Sequence, residues 1–170
     1  AGEEQILRLE SDEQLVKVVT IHKSKGLEYD LVFLPFICSA KPVDGSRLPL
    51  HYHDEQGKSH VSLRPTAELI AQADDERLAE DLRLFYVALT RAKHACWLGI
   101  ADLKRGNNSS SVLHLSALGY LLGAGASLGE SAGLARWLLD LQQGCAAIRY
   151  DLVPDAQDIL FHPPRNQATL

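Results

Sequence analysis

The sequence TIHKSKGLE, at residues 20–28, lies between two short apolar runs. The flanking runs, residues 15–19 and 31–36, are rich in β-branched and aromatic side chains, which predicts strands at about 15–20 and at 31–36. The connection itself holds two lysines, a histidine, two hydroxyl groups, a glycine and a carboxylate. Ammonium and hydroxyl groups suit phosphate and sugar oxygens, and a glycine allows close backbone approach. We therefore predict a ligand-facing loop, the alternative being a solvated basic connection.

Length and charge limit the possible classes of protein. The chain has 170 residues, of which 46% are hydrophobic and 23% charged, which is enough for one domain with a core. It has no apolar run of about 18 residues and its beginning is acidic, so we expect a cytoplasmic protein. The formal net charge of −5 argues against a free-standing, non-specific nucleic-acid binder. It still allows DNA contact at one locally basic loop.

Cysteines and histidines give no strong metal signal. Cys38, Cys96 and Cys145 have no paired spacing, which predicts reduced, buried thiols rather than disulfides or a zinc site. The run His-Tyr-His-Asp at residues 51–54 could in principle hold a divalent ion, but a metal site needs more ligands at set distances. We predict no metal site.

The middle of the chain predicts a parallel sheet with a long helix. Residues 39–64 read as a long connection, with a short edge strand possible at 60–63. Thr66 is a candidate N-cap of a helical region. Residues 74–90 have the periodicity of an amphipathic helix. Its apolar stripe contains Leu78, Leu82, Phe85 and Leu89, and its polar face contains Glu76, Arg77, Glu80 and Arg83. Residues 95–101 form the next strand. Apolar strands with little alternation indicate a sheet covered on both faces.

The last third predicts helices that pack on the core. Ser111 can cap a helix that ends at Gly123, and Ser131 a second that ends at Gly144. Residues 146–150 are a candidate last strand. We place one domain at residues 1–153 and a linker or tail at 154–170.

A second stretch, LFYVALTRAK at residues 84–93, supports the interpretation of residues 20–28 as a ligand-facing loop. In this order the two resemble motifs V and VI of the UvrD/Rep group of superfamily one helicases, "T-x-H-x-[AS]-K-G-L-E" and "Y-V-A-x-T-R-A". LPF at 34–36, ERLAEDLR at 76–83 and SALG at 116–119 are most similar to the RecB branch, the beta subunits of exodeoxyribonuclease V. The resemblance covers roughly residues 15–122.

The resemblance implies an α/β fold, a partial RecA-like (P-loop NTPase-type) domain with a mostly parallel sheet flanked by helices and extra C-terminal helices. It also implies a parent protein that is an ATP-dependent 3′-to-5′ DNA helicase and exonuclease in double-strand break repair and recombination. ATP, Mg²⁺, single- and double-stranded DNA, the first RecA-like domain of the same polypeptide, and RecC-like and RecD-like subunits are its expected cofactors and partners. The chain has no Gly-x-x-x-x-Gly-Lys-[Ser/Thr] motif. We therefore expect it to bind no nucleotide stably and to be inactive alone.

The resemblance assigns nucleotide contacts to three residues. Arg91 corresponds to the catalytic arginine at the γ-phosphate, a role that suits a planar, permanently charged guanidinium. Gly26 and Glu28 correspond to residues near the ribose and phosphates. The alternatives are that Arg91 complements the dipole at a helix C-terminus, and that Glu28 forms an ion pair with a loop lysine, Lys23 or Lys25.

The same resemblance assigns contacts with the single-stranded DNA backbone to Thr20, His22 and Lys23, which offer a hydroxyl, an imidazole N–H and an ammonium. Thr20 could otherwise cap a strand end and His22 could simply be solvated. Arg83 and Tyr86 are predicted to serve packing and helix-surface roles.

Two other functions stay open. A non-catalytic helicase-like interaction scaffold suits an acidic chain without a P-loop. A hydrolase or metalloenzyme using His51, His53 and Asp54 lacks a supporting motif.

Overall fold

The predicted α/β architecture is confirmed in the computed structural model, which describes residues 15–104, 111–123, 125–128 and 132–153. Single 3₁₀ turns occur at His22–Ser24 and Leu113–Leu115. The strands and helices, in chain order, are β1 Tyr29–Leu34, β2 Leu50–His53, β3 Ser59–Ser62, α1 Ala67–Leu89, β4 Ala92–Leu98, α2 Ala117–Gly123 and α3 Ala132–Gly144.

Strands β1 and β4 pair in parallel, with Leu31 opposite Ala95 and Phe33 opposite Trp97. Helix α1 lies in the connection between them, so the predicted strand–helix–strand unit is confirmed. Both strands begin two or three residues earlier than their apolar runs indicate. β4 therefore starts immediately after the end of α1, and this short junction holds Arg91 beside the sheet.

One prediction about the sheet is wrong, and a second is not met within the described residues. Residues 15–20 form no strand, and Val16 and Val18 are 93% and 95% exposed, because no other segment of the described chain offers a ladder of hydrogen bonds to them. The sheet is also not covered on both faces by the described residues. Phe33 and Trp97 stack on one face with ring centroids 4.7 Å apart and remain 64% and 48% exposed.

The long connection contains a hairpin, of which only the second strand is predicted from the sequence. β2 and β3 pair antiparallel, with Leu50 opposite Ser62. The Glu76 carboxylate on α1 accepts the backbone N–H of His53 at 2.8 Å and contacts its ring Nδ1 at 2.8 Å. Asp54 contacts His60 Nε2 at 2.8 Å. These contacts therefore stabilise the hairpin internally and hold it against α1.

Helix α1 presents Leu82, Phe85 and Leu89 of the predicted apolar stripe to the core. The Thr66 hydroxyl accepts the Leu69 N–H at 3.4 Å, as expected of the N-cap. Phe85 is 3% exposed and packs in a cluster with Ala117 and Leu118 of α2. The partly buried members of this cluster are Leu34, Ile37, Leu82, Leu89, Leu98, Ile100 and Leu122.

Arg77 is not on the solvated face where the pattern placed it. Its side chain is 16% exposed, and it donates to Asp74 Oδ1 at 2.7 Å, Asp81 Oδ2 at 2.6 Å and the Leu115 carbonyl at 3.2 Å. Asp74 Oδ1 also accepts the Val43 N–H at 2.8 Å. The Arg77–Asp74 pair thus links α1 to the segment before it through Asp74 and to the segment after it through Arg77.

These contacts make stability dependent on pH. Partial burial raises the pKa of Asp74, but hydrogen bonds from Arg77 and the Val43 N–H outweigh this, so the pKa lies below its usual value. The stabilisation is therefore complete above the unfolded pKa of about 4 and is lost as pH falls through the folded value.

We expect Asp74→Asn to lower the free energy of unfolding at pH 7 by about 1–3 kcal/mol, because it weakens the partly buried hydrogen bonds from Arg77 and the Val43 N–H. It should also flatten the loss of stability below about pH 4. Denaturant titrations at several pH values measure both effects. Asp75→Asn, at the neighbouring exposed carboxylate, is the matched control, and equal behaviour of the two variants would contradict the role of Asp74.

The C-terminal helices differ from the prediction at their starts. The Ser111 hydroxyl accepts the Leu113 N–H at 3.2 Å, but the segment that follows is a 3₁₀ turn and not the predicted helix. α2 begins later because Ser116, fully buried, accepts the Gly119 N–H at 3.0 Å and donates to the Leu113 carbonyl at 2.7 Å. α3 ends at Gly144 as predicted. Ser131 and the predicted tail lie outside the described residues.

Two further differences concern the end of the described chain. Residues 146–150 form a turn and irregular structure, not the predicted strand. Cys38 is buried as expected, but Cys145 is exposed, contrary to the prediction of three buried thiols. None of the described helices is long and apolar enough to cross a membrane.

Candidate functional site

Residues 20–28, which we call the motif loop, turn back on themselves through Ser24. Ser24 is 5% exposed; its N–H donates to the Thr20 and Ile21 carbonyls, each at 3.1 Å, and its hydroxyl donates to the Ile21 carbonyl at 2.7 Å. The Thr20 hydroxyl accepts the Lys23 N–H at 3.4 Å, next to the start of a 3₁₀ turn and not at a strand end. This turn leaves the side chains of His22 and Lys23 exposed.

Gly26 sets the direction of the second half of the motif loop. Its φ of +81° lies in the left-handed region, and a Cβ built there would meet nothing within 4 Å. Glycine is therefore needed here for its backbone conformation, and not because a neighbouring atom leaves no room for a side chain. The turn is followed by Leu27, whose N–H donates to the Ser24 carbonyl at 3.0 Å.

We expect Gly26→Ala to destabilise the chain by about 1–2 kcal/mol, since an L-residue at this φ is strained whatever the space around it. A denaturant titration measures the change. Gly144→Ala, at the end of α3, is the control, because a Cβ there also meets nothing within 4 Å but no positive φ is required. A Gly26 variant as stable as the Gly144 variant would contradict the conformational argument.

Arg91 joins the end of α1 to the motif loop. Its Nη1 donates to the Leu27 carbonyl at 3.0 Å, its Nε to the Val87 carbonyl at 2.9 Å and its Nη2 to the Thr90 hydroxyl at 3.1 Å. The Arg91 carbonyl accepts the Tyr29 N–H at 2.9 Å. The loop and the helix end therefore meet at one side chain, beside the first residue of each parallel strand.

The guanidinium keeps some donor capacity. Arginine has five N–H donors, and the three hydrogen bonds use one on each nitrogen. Each terminal nitrogen of Arg91 thus retains one N–H without a hydrogen bond to the described residues. The hydrogen bond to the Val87 carbonyl also agrees with the alternative prediction, that Arg91 complements the C-terminus of a helix. That carbonyl belongs to the last turn of α1 and has no helical donor of its own.

Glu28 forms its ion pair with a different lysine from those predicted. Its Oε2 lies 3.9 Å from Nζ of Lys93 on β4, with the two side chains 64% and 48% exposed. A pair this exposed adds about 1 kcal/mol or less to stability. Glu28 is therefore easily released to another partner.

The structure brings the predicted nucleotide residues together: Gly26 and Glu28 flank the Leu27 carbonyl that Arg91 contacts. The predicted DNA residues Thr20 and His22 lie at the other end of the same loop, with Lys23. Sequence reasoning missed the buried Ser24, for which its small size in a polar loop was the one available signal. It also missed the Leu27 carbonyl, which no side-chain pattern reports.

Two predicted surface roles have mixed outcomes. Arg83 pairs with Glu80 at 2.7 Å on the exposed side of α1, as expected of a helix-surface residue. Tyr86 is 68% exposed, so it does not pack in the core of the described chain. No group of three or more His, Cys, Asp or Glu side chains in the described ranges is placed to hold a metal ion.

The parallel strands, the long helix in their connection and the loop that meets its end define an α/β domain of the RecA-like class. The chain belongs to the family of UvrD-like helicase C-terminal domains, which it matches over residues 3–102.

Similar proteins agree with this family. The chain is 48% identical over 134 residues to the RecBCD enzyme subunit RecB of Escherichia coli (strain K12), covering 76% of this chain and 11% of that protein. It is 48% identical over 95 residues to RecB of Haemophilus influenzae, covering 55% and 8%. It is 38% identical over 100 residues to an ATP-dependent helicase/nuclease of Geobacillus kaustophilus, covering 53% and 8%. The chain thus spans about a tenth of the length of these relatives.

Proposed function

We propose that this chain is the part of a RecB-like, ATP-dependent 3′-to-5′ DNA helicase and exonuclease subunit that supplies the motif V and motif VI contacts to ATP and single-stranded DNA. The observation that carries the proposal is the 3.0 Å hydrogen bond from Arg91 Nη1 to the Leu27 carbonyl, which joins the two motifs in one site. Residues 1–153 then belong to the second RecA-like domain and residues 154–170 to a linker or tail.

On the nucleotide side, Arg91 is the proposed catalytic residue. Its two remaining N–H donors suit the oxygens of a terminal phosphate, where a guanidinium stabilises charge in the transition state. The Gly26 backbone permits close approach of the nucleotide, and Glu28 can accept hydrogen bonds from ribose hydroxyls once it leaves Lys93. ATP with Mg²⁺ supplies the phosphoryl group when bound.

On the DNA side, the exposed end of the motif loop is the proposed contact. Thr20 and His22 offer donors to phosphate oxygens, and Lys23 adds a positive charge in a chain whose net charge is −5. This local positive charge supports contact with one strand and not general adhesion to DNA.

The remaining machinery would come from partners. The P-loop and Mg²⁺-binding carboxylates are expected on the first RecA-like domain of the same polypeptide, and RecC-like and RecD-like subunits on the assembled enzyme. The exposed Phe33 and Trp97 give the sheet an apolar face on which further parts of the parent could pack. Such an enzyme works in the cytoplasm, where the ATP and chromosomal DNA of bacteria are found.

The first test is ATP turnover by the pure 170-residue chain, with Mg²⁺ and single-stranded DNA present. We expect no turnover above background, because the groups that hold the β- and γ-phosphates in a P-loop are missing from the sequence. Sustained turnover that co-purifies with the chain would contradict the proposed division of labour.

The second test measures the affinity of the longer protein for single-stranded DNA as a function of salt. Lys23→Ala should weaken binding and lower the salt slope by about 0.7, the share of one phosphate contact on a single strand. Lys58→Ala, at an exposed lysine in the β2–β3 turn, is the control. An unchanged slope for Lys23→Ala would remove that lysine from the DNA contact.

A further inference from the structure

The hydroxyl of Thr90 lies between the end of α1 and the guanidinium of Arg91. Its oxygen is 2.9 Å from the Tyr86 carbonyl and 3.1 Å from the Val87 carbonyl, to either of which its single O–H can donate. The same oxygen accepts from Arg91 Nη2 at 3.1 Å. The Thr90 hydroxyl therefore acts both as a donor and as an acceptor, and a methyl group in its place could do neither.

This contact fixes how the guanidinium faces the motif loop. The Val87 carbonyl holds Nε and the Thr90 hydroxyl holds Nη2, so two hydrogen bonds from the helix end set the plane of the group. With the plane set, Nη1 is directed at the Leu27 carbonyl. Without the Thr90 acceptor the group could rotate about its last bonds and lose either the loop contact or its outward N–H donors.

We propose that Thr90 is a positioning residue that holds Arg91 on the Leu27 carbonyl, so that DNA bound to the motif loop sets the alignment of the arginine toward phosphate. This proposal rests on the proposed function and adds its regulation. Leu27 lies four residues beyond Lys23, a proposed DNA contact in the same loop, and its N–H donates to the carbonyl of Ser24, the residue after Lys23. A shift of the loop on binding DNA is therefore transmitted to Arg91 by one carbonyl.

The experiment uses the longer protein that carries this segment and compares ATP hydrolysis with and without single-stranded DNA. Thr90→Val keeps the shape but removes the hydroxyl, and we expect it to lower the DNA-stimulated kcat by roughly 10- to 100-fold, the effect of misplacing a reacting group. The ratio of DNA-stimulated to basal hydrolysis should therefore fall, while the KM for ATP should change much less. Thr90→Ser, which restores the hydroxyl, should recover the stimulation.

Two controls separate the possible failures. Thr66→Val removes the hydroxyl at the other end of α1, where it caps the helix, and should lower stability without changing the ratio of stimulated to basal hydrolysis. Equal losses of both rates in Thr90→Val, together with a lower Tm, would overturn the positioning role, as would a variant that behaves like the wild type. If Arg91→Ala also leaves hydrolysis intact, the proposed function itself fails; if only Thr90→Val does so, this inference alone fails.

Discussion

Arg91→Ala in the longer protein should lower the rate of DNA-stimulated ATP hydrolysis by about 10³-fold or more, the range found for arginines that stabilise phosphoryl transfer. Nucleotide binding should largely survive, because the remaining contacts to ATP are made elsewhere. We expect the loss of hydrolysis because Arg91, alone among the motif residues, retains N–H donors on both terminal nitrogens at the junction of helix and loop. Steady-state hydrolysis and equilibrium binding of a nucleotide analogue measure the two quantities.

The control is Arg83→Ala, which removes an arginine of α1 that lies about two turns before Arg91 and pairs only with Glu80 among the described residues. It should leave hydrolysis within about twofold, as expected of an exposed ion pair. Undiminished hydrolysis in Arg91→Ala would take the arginine out of the mechanism and favour the interaction scaffold.

Phe85→Ala should lower the free energy of unfolding by about 3–5 kcal/mol, since it leaves a large cavity in a packed core. Phe85 is 3% exposed and lies between α2 and the sheet, in a cluster with Leu34 and Leu118. Denaturant titration of the chain measures the change.

The neighbouring aromatic residue is a matched control. Tyr86 is 68% exposed, so Tyr86→Ala should change stability by about 0.5 kcal/mol or less. Similar losses in the two variants would mean that the core is not where the structure places it.

Helix α1 and the two parallel strands could be predicted because their patterns are periodic and agree with local propensity. The stripe that contains Leu82 and Phe85 is visible in the sequence, and so is the cap at Thr66. The β2–β3 hairpin was harder to predict because it is fastened by polar side chains, among them His53 and Asp54, that are typical of loops. The sequence pattern places Arg77 on the solvated face for the same reason, because the pattern reports polarity and not the two carboxylates that compensate for burial.

The candidate site was likewise predictable from the sequence only in part. The motif letters pointed to Arg91 and Gly26, and the structure brings them to the same junction. The contact that joins them is a backbone carbonyl, at Leu27, which has no side-chain signature. Its position depends on the register of β1 against β4 and on the left-handed turn at Gly26, and both are set by tertiary structure.

The most direct test of the account is a structure of the longer protein with a non-hydrolysable ATP analogue and single-stranded DNA. It should show a terminal nitrogen of Arg91 about 3 Å from a γ-phosphate oxygen, with the DNA backbone against Thr20 and Lys23. A γ-phosphate bound elsewhere, with Arg91 still held only by Val87, Thr90 and Leu27, would contradict it.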